Sequence, residues 1–190
     1  MTDRAPARSW SRTLRDWAVN LALILAVFLV VQWWQGRPLA SGAAPPLIAE
    51  TLDGATIDLA SLKGRPVLVY FWASWCPSCK LVNGSVDDIA KDYPVLAVAM
   101  QSGDAAELRR FMTQAGLGFT VLSDPDGRIA GRWGVRGVPS AFVVDAAGRI
   151  AYATAGISTE IGLRARLWAA GHLGAAGPAP DTASAQASSE

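Results

Sequence analysis

The sequence predicts an α/β fold in which a mixed central sheet is flanked by helices, and three observations carry that prediction. Residues 66–72 (PVLVYFW) form an almost continuous apolar run, as expected of a central strand buried on both faces. Beyond it, strand-like apolar runs alternate with helical stretches, the pattern of helices packed on a sheet. The chain then closes on two short strands joined at Ala146-Ala147-Gly148, an antiparallel hairpin, and a last helix.

Each element has a local reason. The first strand is expected over 47–52, turned at Asp53-Gly54 into a partner over 56–59, because that dipeptide suits a hairpin. A helix should start just after Cys76 and run to about residue 92, since Pro77 suits a first helical turn. The next buried strand is 95–100, followed by a helix over 104–115 with Asp104 or Ser102 as its cap, and a short strand over 119–122. Pro125-Asp126-Gly127 marks a turn, 141–144 and 149–154 are the hairpin strands, and the last helix runs from 159 to about 170. No internal repeat is present.

Composition narrows the function. The chain has 190 residues, 51% apolar and 17% charged, with a net charge of +1. That length allows one ordinary domain plus tails, and the near-neutral charge leaves no footprint for nucleic acid. Two cysteines and one histidine are too few for a structural zinc or a multi-bridge disulfide scaffold, so no metal is expected.

Residues 18–31 read AVNLALILAVFLVV, with Trp17 before them and Trp33 and Trp34 after. With its flanks this approaches the roughly 20 residues of a spanning helix, and tryptophans at both ends suit the headgroup region. Arg4, Arg8, Arg12 and Arg15 precede the segment and only Arg37 follows closely, which places the N-terminus in the cytoplasm. The organisation expected is a basic cytoplasmic N-terminus (1–16), a transmembrane anchor (17–35), a linker (36–46), one folded domain (47–173) and a disordered tail (174–190). A cleaved signal peptide is the competing reading, and either one exports the domain. The expected location is the bacterial inner membrane, single pass, with the domain facing the periplasm.

The chemistry centres on Cys76-Pro77-Ser78-Cys79, placed where a buried strand gives way to a helix. At a helix N-terminus, unpaired N–H groups and the helix dipole stabilise a thiolate, the attacking species in disulfide exchange. Cys76 is therefore the expected nucleophile. Cys79, one turn on and expected to be less exposed, is the resolving thiol.

A bare C-x-x-C is also available to metal sites and structural bridges, but Trp72-Ala73-Ser74-Trp75 leads into this one and Gly137-Val138-Pro139-Ser140 precedes a late strand. With the Leu52-Asp53-Gly54 opening, this resembles the thioredoxin superfamily, and 47–173 is similar to its membrane-anchored TlpA-type and ScsD-type branch of thiol-disulfide oxidoreductases. The resemblance implies a thioredoxin-like fold preceded by one transmembrane helix. It also implies that Trp75 lies beside the active site with Pro77 and Ser78, and that Pro139 is a cis-proline facing the sulfurs. Val138 and Pro139 would then form the substrate groove. No cofactor is implied beyond the redox-active disulfide itself. The implied partners are cysteine-containing protein substrates and a membrane electron donor or oxidant, with reduction the favoured direction and a disulfide-donating oxidase the alternative.

Two positions depart from the family pattern. Tyr70 stands where thioredoxin has a buried aspartate, which leaves the proton acceptor for Cys79 unnamed, and Gly84 stands where many relatives have a helix-kinking proline. A non-catalytic or copper-handling binding module is the rival of another class, although His172 is expected on the surface at the end of the last helix. The Asn83-Gly84-Ser85 sequon falls within a helix and reads as accidental, Trp72 reads as core, and Arg109-Arg110 read as a solvated helix face.

Overall fold

The computed structural model describes residues 39–173, together with Trp17, Val19, Asn20, Leu21 and Ala26, which are helical. Among the described residues no helix is long and apolar enough to cross a membrane. The anchor expected over 17–35 lies largely outside them, and the tail expected over 174–190 lies wholly outside.

The order along the chain is β1 (Gly42–Ala43), β2 (Ile48–Glu50), β3 (Thr56–Asp58), a 3₁₀ turn (Leu59–Leu62), β4 (Val67–Trp72), α1 (Pro77–Ala90), β5 (Val95–Met100) and α2 (Ala105–Ala115). There follow β6 (Val121–Asp124), α3 (Arg128–Arg132), β7 (Ser140–Val144), β8 (Arg149–Ala155) and α4 (Glu160–Leu173). Six strands form one mixed sheet in the order β1-β8-β7-β4-β5-β6, and β2 and β3 pair separately. β4 is central, parallel to β5 and antiparallel to β7, with Tyr70 opposite Ala97 on one side and Ala141 on the other. All six β4 side chains are buried, as its unbroken apolar run requires.

Alternation along β4 divides the core in two. Leu68, Tyr70 and Trp72 point towards Val82, Val86 and Ile89 of α1, Leu108 and Met112 of α2, and Leu163 and Leu167 of α4. Val67, Val69 and Phe71 point to the opposite face, against Leu47, Ile129, Trp133 and Phe142. There Phe71, Trp133 and Phe142 meet edge-on or tilted, with ring centroids 5.0 to 5.8 Å apart.

The helix starts follow their caps. α1 has Cys76 as N-cap and Pro77 in its first turn, and it runs unbroken through Gly84 to Ala90. α2 opens on a capping box in which Asp104 takes the Glu107 N–H and Glu107 returns to the Asp104 N–H, so Asp104 rather than Ser102 is the cap.

The main differences from the sequence expectation are five. Residues 39–44, within the linker expected over 36–46, join the fold: β1 pairs with β8, and the Ala40 N–H donates to the Trp133 carbonyl at 3.1 Å. The strand expected over 119–122 is β6, two residues later. α3 was not expected, and its start is held by Asp124, whose buried carboxylate accepts from the Ile129 and Ala130 N–H groups at 3.0 and 2.9 Å. α4 continues to Leu173. Arg109 is not simply solvated, because its guanidinium donates to the Leu52 carbonyl, with Nε at 2.9 Å.

Candidate active site

The site lies where the C-terminal end of β4 hands the chain to α1. Cys76 and Cys79 are joined as a disulfide with Cα atoms 5.3 Å apart. Both are buried, Cys76 at 3% exposure and Cys79 at 0%, so Cys79 is the more enclosed of the two.

The Cys76 sulfur takes the place of an N-cap side chain. The Cys79 N–H donates to it at 3.2 Å, and the Ser78 hydroxyl lies 3.3 Å away. A disulfide sulfur carries no hydrogen, so the Ser78 hydroxyl is the donor in that contact. Both donors would remain for a thiolate once the bridge is reduced, adding to the helix dipole.

The Val138–Pro139 peptide bond is cis. The Val138 carbonyl oxygen lies 3.7 Å from Cys76 Sγ, and the Ser140 hydroxyl donates to the Gly137 carbonyl at 2.8 Å, closing the loop that carries them. Val138 touches both halves of the core, and β7 follows at once. Cys76, Cys79, Pro77, Ser78, Val138 and Pro139 are thus brought together. Trp75 stands at the rim, 60% exposed, with its indole N–H donating to the Gln101 carbonyl at 3.0 Å.

Two features were not read from the sequence. One is the support beneath the approach loop: the Ser74 N–H donates to the Ser102 hydroxyl at 3.0 Å, which itself donates to the Met100 carbonyl at 2.8 Å. The other is a buried polar pair, in which the Tyr70 hydroxyl donates to Asn83 Oδ1 at 3.0 Å. Burial pushes the Tyr70 phenol above its ordinary value of 10.0, so it stays protonated. Asn83 is on the buried face of α1, so the sequon there has no exposed amide to offer. Trp72 is core, tilted against Phe111 and edge-on to Phe119, and His172 is exposed against Trp168. Among the described residues, no three His, Cys, Asp or Glu side chains come together as a metal set.

A cysteine pair capping a helix and faced by a cis-proline loop, on a mixed sheet of this order, defines a thioredoxin-like thiol-disulfide oxidoreductase. The sequence profile of the AhpC/TSA family matches residues 41–153, and the chain belongs to that family. It is similar to a thioredoxin-like protein of Haemophilus influenzae, 30% identical over 158 residues that cover 82% of this chain and 94% of the other. A thiol:disulfide interchange protein DsbE homolog of Paracoccus denitrificans is 39% identical over 116 residues, covering 60% of this chain and 64% of that protein. Among solved structures, a secreted Mycobacterium tuberculosis disulfide oxidoreductase homologous to Escherichia coli DsbE superposes with a TM-score of 0.55 at 32% identity. That match covers 65% of this chain and 95% of the other.

Proposed function

We propose that this chain is a membrane-anchored periplasmic enzyme that exchanges its Cys76–Cys79 pair with cysteines of protein substrates, acting as a reductant. The observation that carries the exchange chemistry is the setting of Cys76 Sγ, which takes the Cys79 N–H at 3.2 Å and faces the Val138 carbonyl at 3.7 Å. Cys76 attacks a substrate disulfide and forms a mixed disulfide. Cys79 then attacks the Cys76 sulfur, and the substrate leaves as a thiol. Val138 and Pro139 line the groove in which an extended substrate segment lies against the pair. The two cysteines carry both electrons, so no further cofactor is needed.

The anchor rests on the apolar stretch 18–31 and the four arginines before it. Such a placement, in the inner membrane with the domain in the periplasm, requires a membrane electron donor to restore the dithiol. The reducing direction follows from the resemblance to the TlpA-type branch.

One observation favours the opposite direction. Two donors at Cys76 Sγ stabilise its thiolate, and stabilising the reduced form makes a pair more oxidising. The redox state in intact cells, trapped by acid quenching and alkylation with a mass-shifting reagent, decides between them. A mainly reduced pair supports the reductant. A mainly oxidised pair marks a disulfide donor.

A further inference from the structure

Resting on that exchange reading, we infer that Gln101 is a specificity-determining residue, whose side-chain amide hydrogen-bonds the main chain of a polypeptide substrate beside Trp75. β4 and β5 are parallel, with Trp72 opposite Ala99, and so are β5 and β6, with Met100 opposite Asp124. The chain therefore leaves all three strands at one edge of the sheet. Trp75 and Cys76 follow β4, Gln101 follows β5, and the turn 125–127 follows β6. Ligands of open α/β sheets bind in the crevice outside such carboxyl ends. In the strand order β7-β4-β5, the Val138–Pro139 loop borders Cys76 on one side and Gln101 lies on the other. There the Gln101 carbonyl takes the Trp75 indole N–H at 3.0 Å.

Nothing in the main chain calls for a glutamine at this position. Its φ of 45° lies in the left-handed region, where glycine is unstrained and asparagine is enriched. A glutamine there costs stability that either residue would spare, and outliers of this kind cluster at active sites and ligand clamps. The two main-chain bonds, from the Trp75 indole and to the Asp124 carbonyl at 3.0 Å, would survive with any side chain. Nor is the glutamine side chain a strut. It is exposed, and no hydrogen bond to the described residues occupies its amide. Its Nε2 lies 3.9 Å from the point where a Cβ on Gly127 would stand, so the side chain crosses the end of β6 over a residue that has nothing to cover it with. A primary amide accepts through its oxygen and donates twice through its nitrogen. That set matches the N–H and C=O groups of an extended chain whatever its side chains are. The ligand is thus a substrate segment that runs from the Val138–Pro139 loop across Cys76 to Trp75 and Gln101.

Three substitutions separate the amide from the backbone beneath it. Gln101→Ala keeps the positive φ and removes the amide, Gln101→Gly removes the amide and the strain, and Gln101→Asn keeps an amide in a residue suited to the conformation. Reduced full-length proteins are mixed, without other thiols, with excess insulin or with excess hydroxyethyl disulfide, which has no polypeptide chain. Oxidation of the cysteine pair is followed by quenched alkylation against substrate concentration. The ratio of the insulin rate constant to the hydroxyethyl disulfide rate constant is expected to fall about fivefold in Gln101→Ala and Gln101→Gly, through a higher half-saturating insulin concentration. In Gln101→Asn it is expected to stay within about twofold of the parent. Gln101→Gly should unfold at a urea concentration no lower than the parent's, which separates the effect from loss of fold. A parent-like ratio in Gln101→Ala, or a fall in Gln101→Asn as large as in Gln101→Gly, overturns the inference. A parent protein whose pair is oxidised by neither disulfide overturns the exchange reading itself, and this inference with it.

Discussion

The indole N–H of Trp75 donates to the main-chain carbonyl of Gln101 at 3.0 Å, tying the residue before the cysteine pair to the loop that follows β5. Among the described residues Gln101 is the one non-glycine with a positive φ, at 45°. A side chain in that region costs of order 1 kcal/mol, which the surrounding structure must sustain. The Gln101 N–H bond to the Asp124 carbonyl at 3.0 Å and the Ser74–Ser102 bond do so, fixing the approach to Cys76 from below.

Ser102→Ala therefore leaves the Ser74 N–H without its acceptor. The expected loss is about 1 kcal/mol of stability, the lower part of the range for an unsatisfied donor because the site is only partly buried. Denaturant unfolding measures it, and faster amide exchange at Ser74 and Trp75 is the local sign. No change in either would show that the loop holds its place without this bond.

Ser78 acts on the sulfur directly. Ser78→Ala removes the hydroxyl 3.3 Å from Cys76 Sγ and leaves only the Cys79 N–H. The Cys76 thiolate of the reduced protein then has one donor fewer, and its alkylation by iodoacetamide at neutral pH should slow severalfold. An unchanged rate would mean that the helix N-terminus alone supports the thiolate.

Arg109 holds structure rather than chemistry. Its guanidinium reaches the Leu52 carbonyl at the turn between β2 and β3, and Arg109→Ala should cost about 1–2 kcal/mol of stability with exchange activity within twofold. A calorimetric melt and a disulfide-reduction assay on the same preparation check both halves. A large loss of activity at unchanged stability would contradict this assignment.

Alkaline stability tests Tyr70. Its folded-state value lies above the ordinary 10.0, so the folded protein holds this proton more tightly than the unfolded chain. The contribution is complete below about pH 10 and is lost as pH rises through the folded value. Tyr70→Phe should cost about 1–3 kcal/mol at pH 7, because Asn83 Oδ1 loses its donor, yet its stability should fall less steeply above pH 10. Parallel slopes for the two proteins would show that Tyr70 does not govern the alkaline limb.

What the sequence made legible is what depends on local pattern. β4 and β5 match the expected runs within a residue because both are buried on both faces and punctuated by turns, and α1 begins where Pro77 places it. The cysteine pair and Val138-Pro139 were readable because their meaning is carried by immediate neighbours. α3 was not: it is five residues long, contains a glycine, and is held from outside by the Asp124 carboxylate at the end of β6. β1 was missed for a similar reason, since Gly42 and Ala43 are defined by main-chain bonds to β8 and not by any side-chain pattern. The Tyr70–Asn83 pair and the supports at Gln101 and Ser102 join residues 13 to 28 positions apart, and no local period announces them.

The most direct test of the central claim, that Cys76 attacks and Cys79 resolves, is non-reducing mass analysis of full-length Cys79→Ser and Cys76→Ser after incubation with a disulfide-bonded protein substrate. The account predicts that Cys79→Ser accumulates a mixed disulfide through Cys76, released by dithiothreitol, while Cys76→Ser accumulates almost none, since its remaining thiol is fully buried. Equal trapping by both variants, or trapping through Cys79 alone, would contradict it.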